Sequence, residues 1–229
     1  MGLKEKIKKM FVQKEYIPIF HQVPSSKEFE EKVVLISGGS GGIGLAIAKS
    51  LQEAGAIVVI SGTNENKLNK IKEETNLETI VMNYSKPETL KSVIEKITTK
   101  YGKIDIFISS AGVHTENVDF WTMSQKEFDR VMDINLKGVF FACQTIGRYM
   151  VDNKIKGSIL LISSSRGSEP AWSPYGISKW GLKGLTEGLA QILIPYGINV
   201  NSIAPGSTAT KLIGVKEGDS ITSEENGMN

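Results

Sequence analysis

A doubly wound α/β domain of Rossmann type, one mostly parallel sheet with helices on both faces, is expected from this chain on three grounds. Short β-branched runs alternate with longer segments of helical periodicity. The runs are nearly continuously apolar, as strands buried on both faces must be. A glycine-rich turn separates the first run from the first helix. Alternation over roughly 170 residues builds such a sheet because parallel neighbours need crossover connections of helix length.

The elements follow in order. Residues 1–30 stand outside the alternation and form an N-terminal extension. Its first 14 residues suit a basic amphipathic helix (Leu3, Ile7, Met10, Phe11), and Pro18 and Pro24 follow. Packing on the domain or on a partner subunit is the expectation here, ahead of binding to a membrane surface. The domain proper spans 31–229. Its strand-like runs are KVVLIS (32–37), AIVVIS (56–61), TIVMN (79–83), IDIFIS (104–109), SILLIS (158–163) and INVNSIA (198–204). Helical patterns lie between them: IGLAIAKSLQEAG, NENKLNKIKEET, KPETLKSVIEKITTKYG, SQKEFDRVMDINLKGVFFACQTIGRYMV and SPYGISKWGLKGLTEGLAQILI. Gly55 is a natural C-cap for the first helix, and Pro195 stops the last. After Gly206 the chain is polar and has no strand-like run. The domain is therefore expected to be incomplete at its C-terminal side, lacking a last strand and leaving the sixth run as an edge.

Composition narrows the function. Of 229 residues, 40% are hydrophobic and 23% charged, which is globular, and a net charge of +2 gives no footprint for nucleic acid. The one cysteine, Cys143, excludes an intrachain disulfide and sits in an apolar helical pattern, as a buried inert thiol would. His21 and His114 lack ligand-like spacing, so no metal site is expected. Neither a signal peptide nor a membrane-length apolar run is present, and cytoplasm is the expected compartment.

The stretch SGGSGGIG (37–44) could be a flexible linker, but it follows a buried strand and opens a helix. Ile43, Ala46, Ile47 and Leu51 continue it at helical spacing. In that setting glycines turn the chain sharply, let backbone approach a pyrophosphate, and let helix pack on strand; the helix N-terminus offers unpaired N–H groups to phosphate oxygens. A dinucleotide site is the reading this context favours.

Gly38, Gly42 and Gly44 are spaced G-x-x-x-G-x-G, and here the sequence resembles the short-chain dehydrogenase/reductase family over about residues 32–210. Further motifs match in order. ISSAGV (108–113) resembles the family's NNAG, with Ser109 and Ser110 in place of its asparagines. VMDINLKGVF (131–140) places Asn135 as the structural and catalytic asparagine. LLISSSRG (160–167) gives Ser164, with Ser163 and Ser165 as neighbours one step away. YGISK gives Tyr175 and Lys179, and NSIAPGSTAT (201–210) matches the family's PG followed by threonine. The overall look is that of its 3-oxoacyl-carrier-protein reductase branch. The resemblance implies catalytic roles for Asn135, Ser164, Tyr175 and Lys179. It also implies cofactor contacts from Gly38, Ser40, Gly41, Gly42, Ile43, Gly44, Thr63, Asn64, Asn83, Tyr84, Ala111, Gly112, Tyr175, Lys179, Pro205, Gly206, Thr208 and Thr210.

Those residues suit hydride chemistry. Reducing a ketone takes a hydride to carbon, from a nicotinamide, and a proton to oxygen, from an acid nearby. Tyr175 and Lys179 are four apart, on one helical face, and an ammonium beside a phenol favours phenolate. Ser164 would hydrogen-bond the substrate oxygen, and Asn135 would hold a water linking Lys179 to solvent. The end of the second strand, VVISGTNENKL, has Thr63 and Asn64 but no carboxylate before Glu65. A 2′-phosphate is not repelled there, so NADP(H) is favoured over NAD(H). The substrate is a small carbonyl or alcohol, or an acyl thioester, and the resemblance implies a homodimer or homotetramer. Two alternatives stay open at this level: a nucleotide-sugar epimerase or dehydratase, and a non-catalytic cofactor-binding or assembly subunit.

Overall fold

Six strands make one sheet in the computed structural model, which describes residues 28–116, 118–206 and 208. Expectations for residues 1–27, for Thr210 and for the C-terminal segment fall outside the described residues. The strands are β1 (Val33–Ser37), β2 (Ile57–Gly62), β3 (Glu78–Val81), β4 (Ile106–Ser109), β5 (Ser158–Ile162) and β6 (Asn199–Ile203). They lie in the order β3-β2-β1-β4-β5-β6, and every neighbouring pair is parallel. The chain leaves β3 at one side of the sheet and re-enters at β4 beside β1. That reversal opens a crevice above the carboxyl ends of β1 and β4. The register aligns Ser37 of β1 with both Ser61 and Ser109. The three strand ends are thus level, and their loops project to one side together.

The period of two along each strand sorts its side chains between two cores. Val33, Leu35, Val59, Phe107, Ile159 and Leu161 share one core with α3 (Leu90–Tyr101), α5 (Val139–Asp152) and α6 (Pro174–Leu193). Val34, Ile36, Val58, Ile60, Ile108 and Ile162 pack in the other with α1 (Gly42–Glu53) and α2 (Glu65–Thr75). All five residues of β1 are buried, as its apolar run requires, whereas β6 buries only Val200. Among the described residues β6 lies at the edge of the sheet and is mostly exposed, the edge position expected of the sixth run.

Local chemistry sets the helix ends. Asn64 caps α2 by accepting the Lys67 N–H, and Asn76 ends it in the left-handed region. Ser173 caps α6 and Pro174 occupies its first turn. Pro195 lies just past the end of α6, as expected. The single helix expected over 124–151 is instead interrupted. After α4 (Gln125–Met132), residues Asp133–Gly138 form a π-helical turn before α5 begins. That turn lies against Tyr84, and a side chain at Gly138 would run into the Tyr84 Cβ. Such widened turns recur at functional sites, and this one carries Asn135.

Candidate active site

The loop after β1 forms a cradle that only glycine permits. Gly38 has φ +65°, and a Cβ there would stand 2.6 Å from the Ala111 backbone. A Cβ on Gly44 would stand 2.5 Å from the Gly38 carbonyl oxygen. The first contact packs the loop against the end of β4; the second closes α1 onto the loop. Ser110 N–H donates to Ser37 O at 3.0 Å, which ties the two strand ends together. Gly41 stands at the N-cap of α1 without a capping side chain, and Gly41 and Gly42 are exposed. Among the described residues no side chain caps the first N–H groups of α1, as a diphosphate site requires. The cradle fits a dinucleotide: the positions nearest the turn have no room for side chains, and the helix start is open.

Around the cradle, the residues expected to touch the cofactor divide. Ser40 lies against Gly62 at the end of β2, with exposed Thr63 next in the chain. Asn64 has its amide oxygen engaged in the cap of α2, at 2.9 Å, and Asn83 uses its own on Ser85 N–H at 2.9 Å. Tyr84 is turned inward. It is buried, and its hydroxyl joins Ser37 Oγ at 2.6 Å and Ser109 Oγ at 2.9 Å. It supports the ends of β1 and β4 from beneath, so the surface contact expected of Tyr84 is replaced by a structural one. Ser109, which stands where the family motif has asparagine, thereby has a partner. Pro205 O accepts from Ser165 N–H at 2.9 Å, which brings the PG segment beside the serines that follow β5.

Tyr175 and Lys179 lie on the first turns of α6. Lys179 is buried, with Nζ donating to Ile162 O at 3.1 Å and standing 5.5 Å from the centre of the Tyr175 ring. Burial lowers its pKa to about 8. The three serines after β5 separate clearly. Ser163 is buried and faces the Lys179 carbonyl at 3.4 Å. Ser164 is half-buried, and its oxygen accepts the Arg166 N–H at 3.3 Å. Among the described residues its own hydroxyl hydrogen has no acceptor.

Asn135 is buried in the π-helical turn. Its Oδ1 accepts Val113 N–H and its Nδ2 donates to Val113 O, each at 2.8 Å, with Ser178 Oγ 3.4 Å from Nδ2. Both hydrogens of Nδ2 are thus engaged, leaving only a lone pair of Oδ1 for the expected water. What the side chain does is fix the loop that follows Gly112.

Two features have no signal in the motif spacing. His114 lies against Tyr175, ring centroids 4.5 Å apart. Arg130 makes paired contacts with Glu127 at 2.7 and 2.9 Å and donates to His114 O at 2.8 Å. Glu127 in turn accepts Glu116 N–H, and the guanidinium beside it lowers the Glu127 pKa to about 2. Glu127 and Arg130, three apart on α4, together grip the loop at 114–116. Cys143 is buried as expected, its thiol pushed up to about 12 by burial. No group of metal-ligating side chains occurs among the described residues, and no described helix is long and apolar enough to cross a membrane.

Known proteins agree with this arrangement. The short chain dehydrogenase family profile matches residues 32–219. The 3-oxoacyl-acyl-carrier-protein reductase FabG of Thermotoga maritima is 33% identical over 190 residues, covering 80% of this chain and 76% of its own. Among solved structures, levodione reductase superposes with a TM-score of 0.76 at 30% identity, covering 81% of this chain and 75% of that one. A gluconate 5-dehydrogenase from Burkholderia cenocepacia in complex with NADP and tartrate superposes with a TM-score of 0.75 at 28% identity, covering 85% and 78%. The chain belongs to the short-chain dehydrogenase family and is an NAD(P)-dependent oxidoreductase.

Proposed function

We propose that the enzyme interconverts a carbonyl and a secondary alcohol, with Tyr175 as proton donor and acceptor, and that its preferred substrate is a 3-oxoacyl thioester. The observation that carries this reading is the buried Lys179 ammonium beside the Tyr175 ring, 5.5 Å from its centre. When bound, a reduced nicotinamide supplies hydride to the carbonyl carbon. The protein supplies the rest. Ser164 donates its free hydroxyl hydrogen to the carbonyl oxygen and stabilises the charge gathering there. Tyr175 passes its phenolic proton to that oxygen, and the phenolate left behind is stabilised by Lys179. Nζ has three hydrogens and spends one on Ile162 O, so two remain for the ribose hydroxyls. Asn135 holds Val113, and through it the chain on which the reacting groups rest. In the reverse direction the same groups take the alcohol proton away.

Expected cofactor contacts are those of the cradle, Gly38 to Gly44, with Ala111 and Gly112 after β4 and Pro205, Gly206 and Thr208 after β6. NADP(H) is preferred. Thr63 and Asn64 put a hydroxyl and an amide at the end of β2, with Ser40 close by, and no carboxylate there repels a 2′-phosphate. FabG relatives motivate the thioester, and exposed Phe128 of α4 and Phe140 of α5 favour self-association into a homodimer or homotetramer.

Fluorescence titration with NADPH and NADH, and then turnover on a panel of ketones and 3-oxoacyl thioesters, test the reading. Tyr175→Phe is expected to keep NADPH binding while kcat falls about 10³-fold. Unchanged turnover in that variant overturns the assignment. Thr63→Asp is expected to weaken NADPH more than NADH; equal weakening removes the case for the 2′-phosphate.

A further inference from the structure

We propose that His114 is a positioning residue for Tyr175, holding the phenol ring by an aromatic stack; this rests on Tyr175 being the proton donor. The two ring centroids are 4.5 Å apart with the planes 31° from parallel, within the range where aromatic pairs attract. Among the described residues nothing hydrogen-bonds the Tyr175 hydroxyl, so contacts on the ring itself set its orientation.

His114 is exposed, yet it is not free to move. Its Nδ1 lies 2.9 Å from Thr115 O. A carbonyl oxygen only accepts, so Nδ1 carries the hydrogen and the rotation of the imidazole is fixed. Each residue of the surrounding chain is anchored as well. Val113 is bonded at both its N–H and its carbonyl by Asn135. His114 O accepts from Arg130 Nη2 at 2.8 Å, and Glu116 N–H donates to Glu127 Oε1 at 2.8 Å. Thr115 Oγ1 accepts the Tyr175 N–H at 3.3 Å, which fastens the loop to the first turn of α6. Four consecutive residues are thus held by α4, by the π-helical turn and by α6. The consequence of that anchoring is a histidine ring laid against the phenol. Such rigidity around a reacting group is what a catalytic geometry needs.

Nuclear magnetic resonance and kinetics test this together. The chain has two histidines, so His114→Phe assigns the His114 ring protons by difference. Those resonances are expected to be displaced by the Tyr175 ring current, to stay displaced in Tyr175→Phe, and to return to ordinary positions in Tyr175→Leu. Resonances unmoved by Tyr175→Leu overturn the stack, and this readout needs no substrate. With acetoacetyl-coenzyme A and NADPH, His114→Ala is expected to lose about fivefold to tenfold in kcat with KM held. His114→Phe recovers most of that loss. His114→Asn, which keeps a donor for Thr115 O but has no ring, does not. An unchanged kcat in His114→Ala, a loss confined to KM, or rescue by His114→Asn overturns the proposal. Full turnover in Tyr175→Phe sinks the proton-donor assignment instead, and the resonance experiment then decides the stack by itself.

Discussion

Lys179 is a lysine the fold would be more stable without. A buried ammonium with one carbonyl partner has lost most of its hydration, which is why its pKa falls from 10.5 to about 8. Below about pH 8 folded and unfolded chains both hold the proton, and the folded state bears the full desolvation cost. Between about 8 and 10.5 the unfolded chain holds it and the folded one does not, so stability rises with pH across that window. Lys179→Met is therefore expected to abolish turnover while raising stability at pH 7 by on the order of 1–3 kcal/mol in urea unfolding, the lost bond to Ile162 O being set against the relieved charge. That gain should shrink as the pH passes from 8 towards 10.5. Wild-type kcat/KM for reduction should fall above about pH 8, where the ammonium is lost. A variant less stable than wild type at pH 7 would mean that the amine is better solvated than its burial indicates.

Among the elements, the glycine turn between β1 and α1 depends most on residue identity. Gly38→Ala puts a side chain at φ +65° and 2.6 Å from the Ala111 backbone. The left-handed conformation alone costs about 1–2 kcal/mol, and the collision must separate the ends of β1 and β4. Loss of NADPH fluorescence quenching is expected together with a lowered urea midpoint. Binding that survives intact would show that the crevice tolerates widening. This turn was legible in sequence because its glycines sit between a buried strand and a periodic helix. The pairing of Tyr175 with Lys179 was legible because one helix carries both. The break in the helix at 133–138 was not, since a π-helical turn adds a residue without disturbing the apolar pattern enough to show. The stack of His114 on Tyr175 was equally hidden, because it joins loop to helix across some 60 positions and depends on anchors from Asn135 and Arg130. The burial of Tyr84 was hidden for a similar reason: its partners, Ser37 and Ser109, are 47 and 25 residues away.

At the scale of the whole molecule, binding and stability occupy opposite ends of the same strands. The glycine cradle, the serines after β5, and Tyr175 with Lys179 gather at the carboxyl ends. At the amino ends, Asp105 joins three strands. Its Oδ2 accepts Val33 N–H at 2.9 Å, its N–H donates to Val33 O at 2.9 Å, and its carbonyl accepts Ser158 N–H at 3.0 Å. Lys103 lies 3.0 Å from Oδ1, with Lys32 at 4.0 Å. Asp105→Ala leaves the buried Val33 N–H without a partner, at a cost of about 1–3 kcal/mol. The urea midpoint should fall accordingly with the slope unchanged. Five residues of β1 separate this end from the cradle, a distance of about 16 Å at 3.3 Å per residue. NADPH affinity should therefore stay at the wild-type value. Asp105→Asn keeps an acceptor for Val33 and loses only the charge facing two exposed lysines, so it should lose less than half as much stability. If Asp105→Ala weakened NADPH as much as it weakened the fold, the sheet would not be acting as a rigid spacer, and the separation of the two ends would fail.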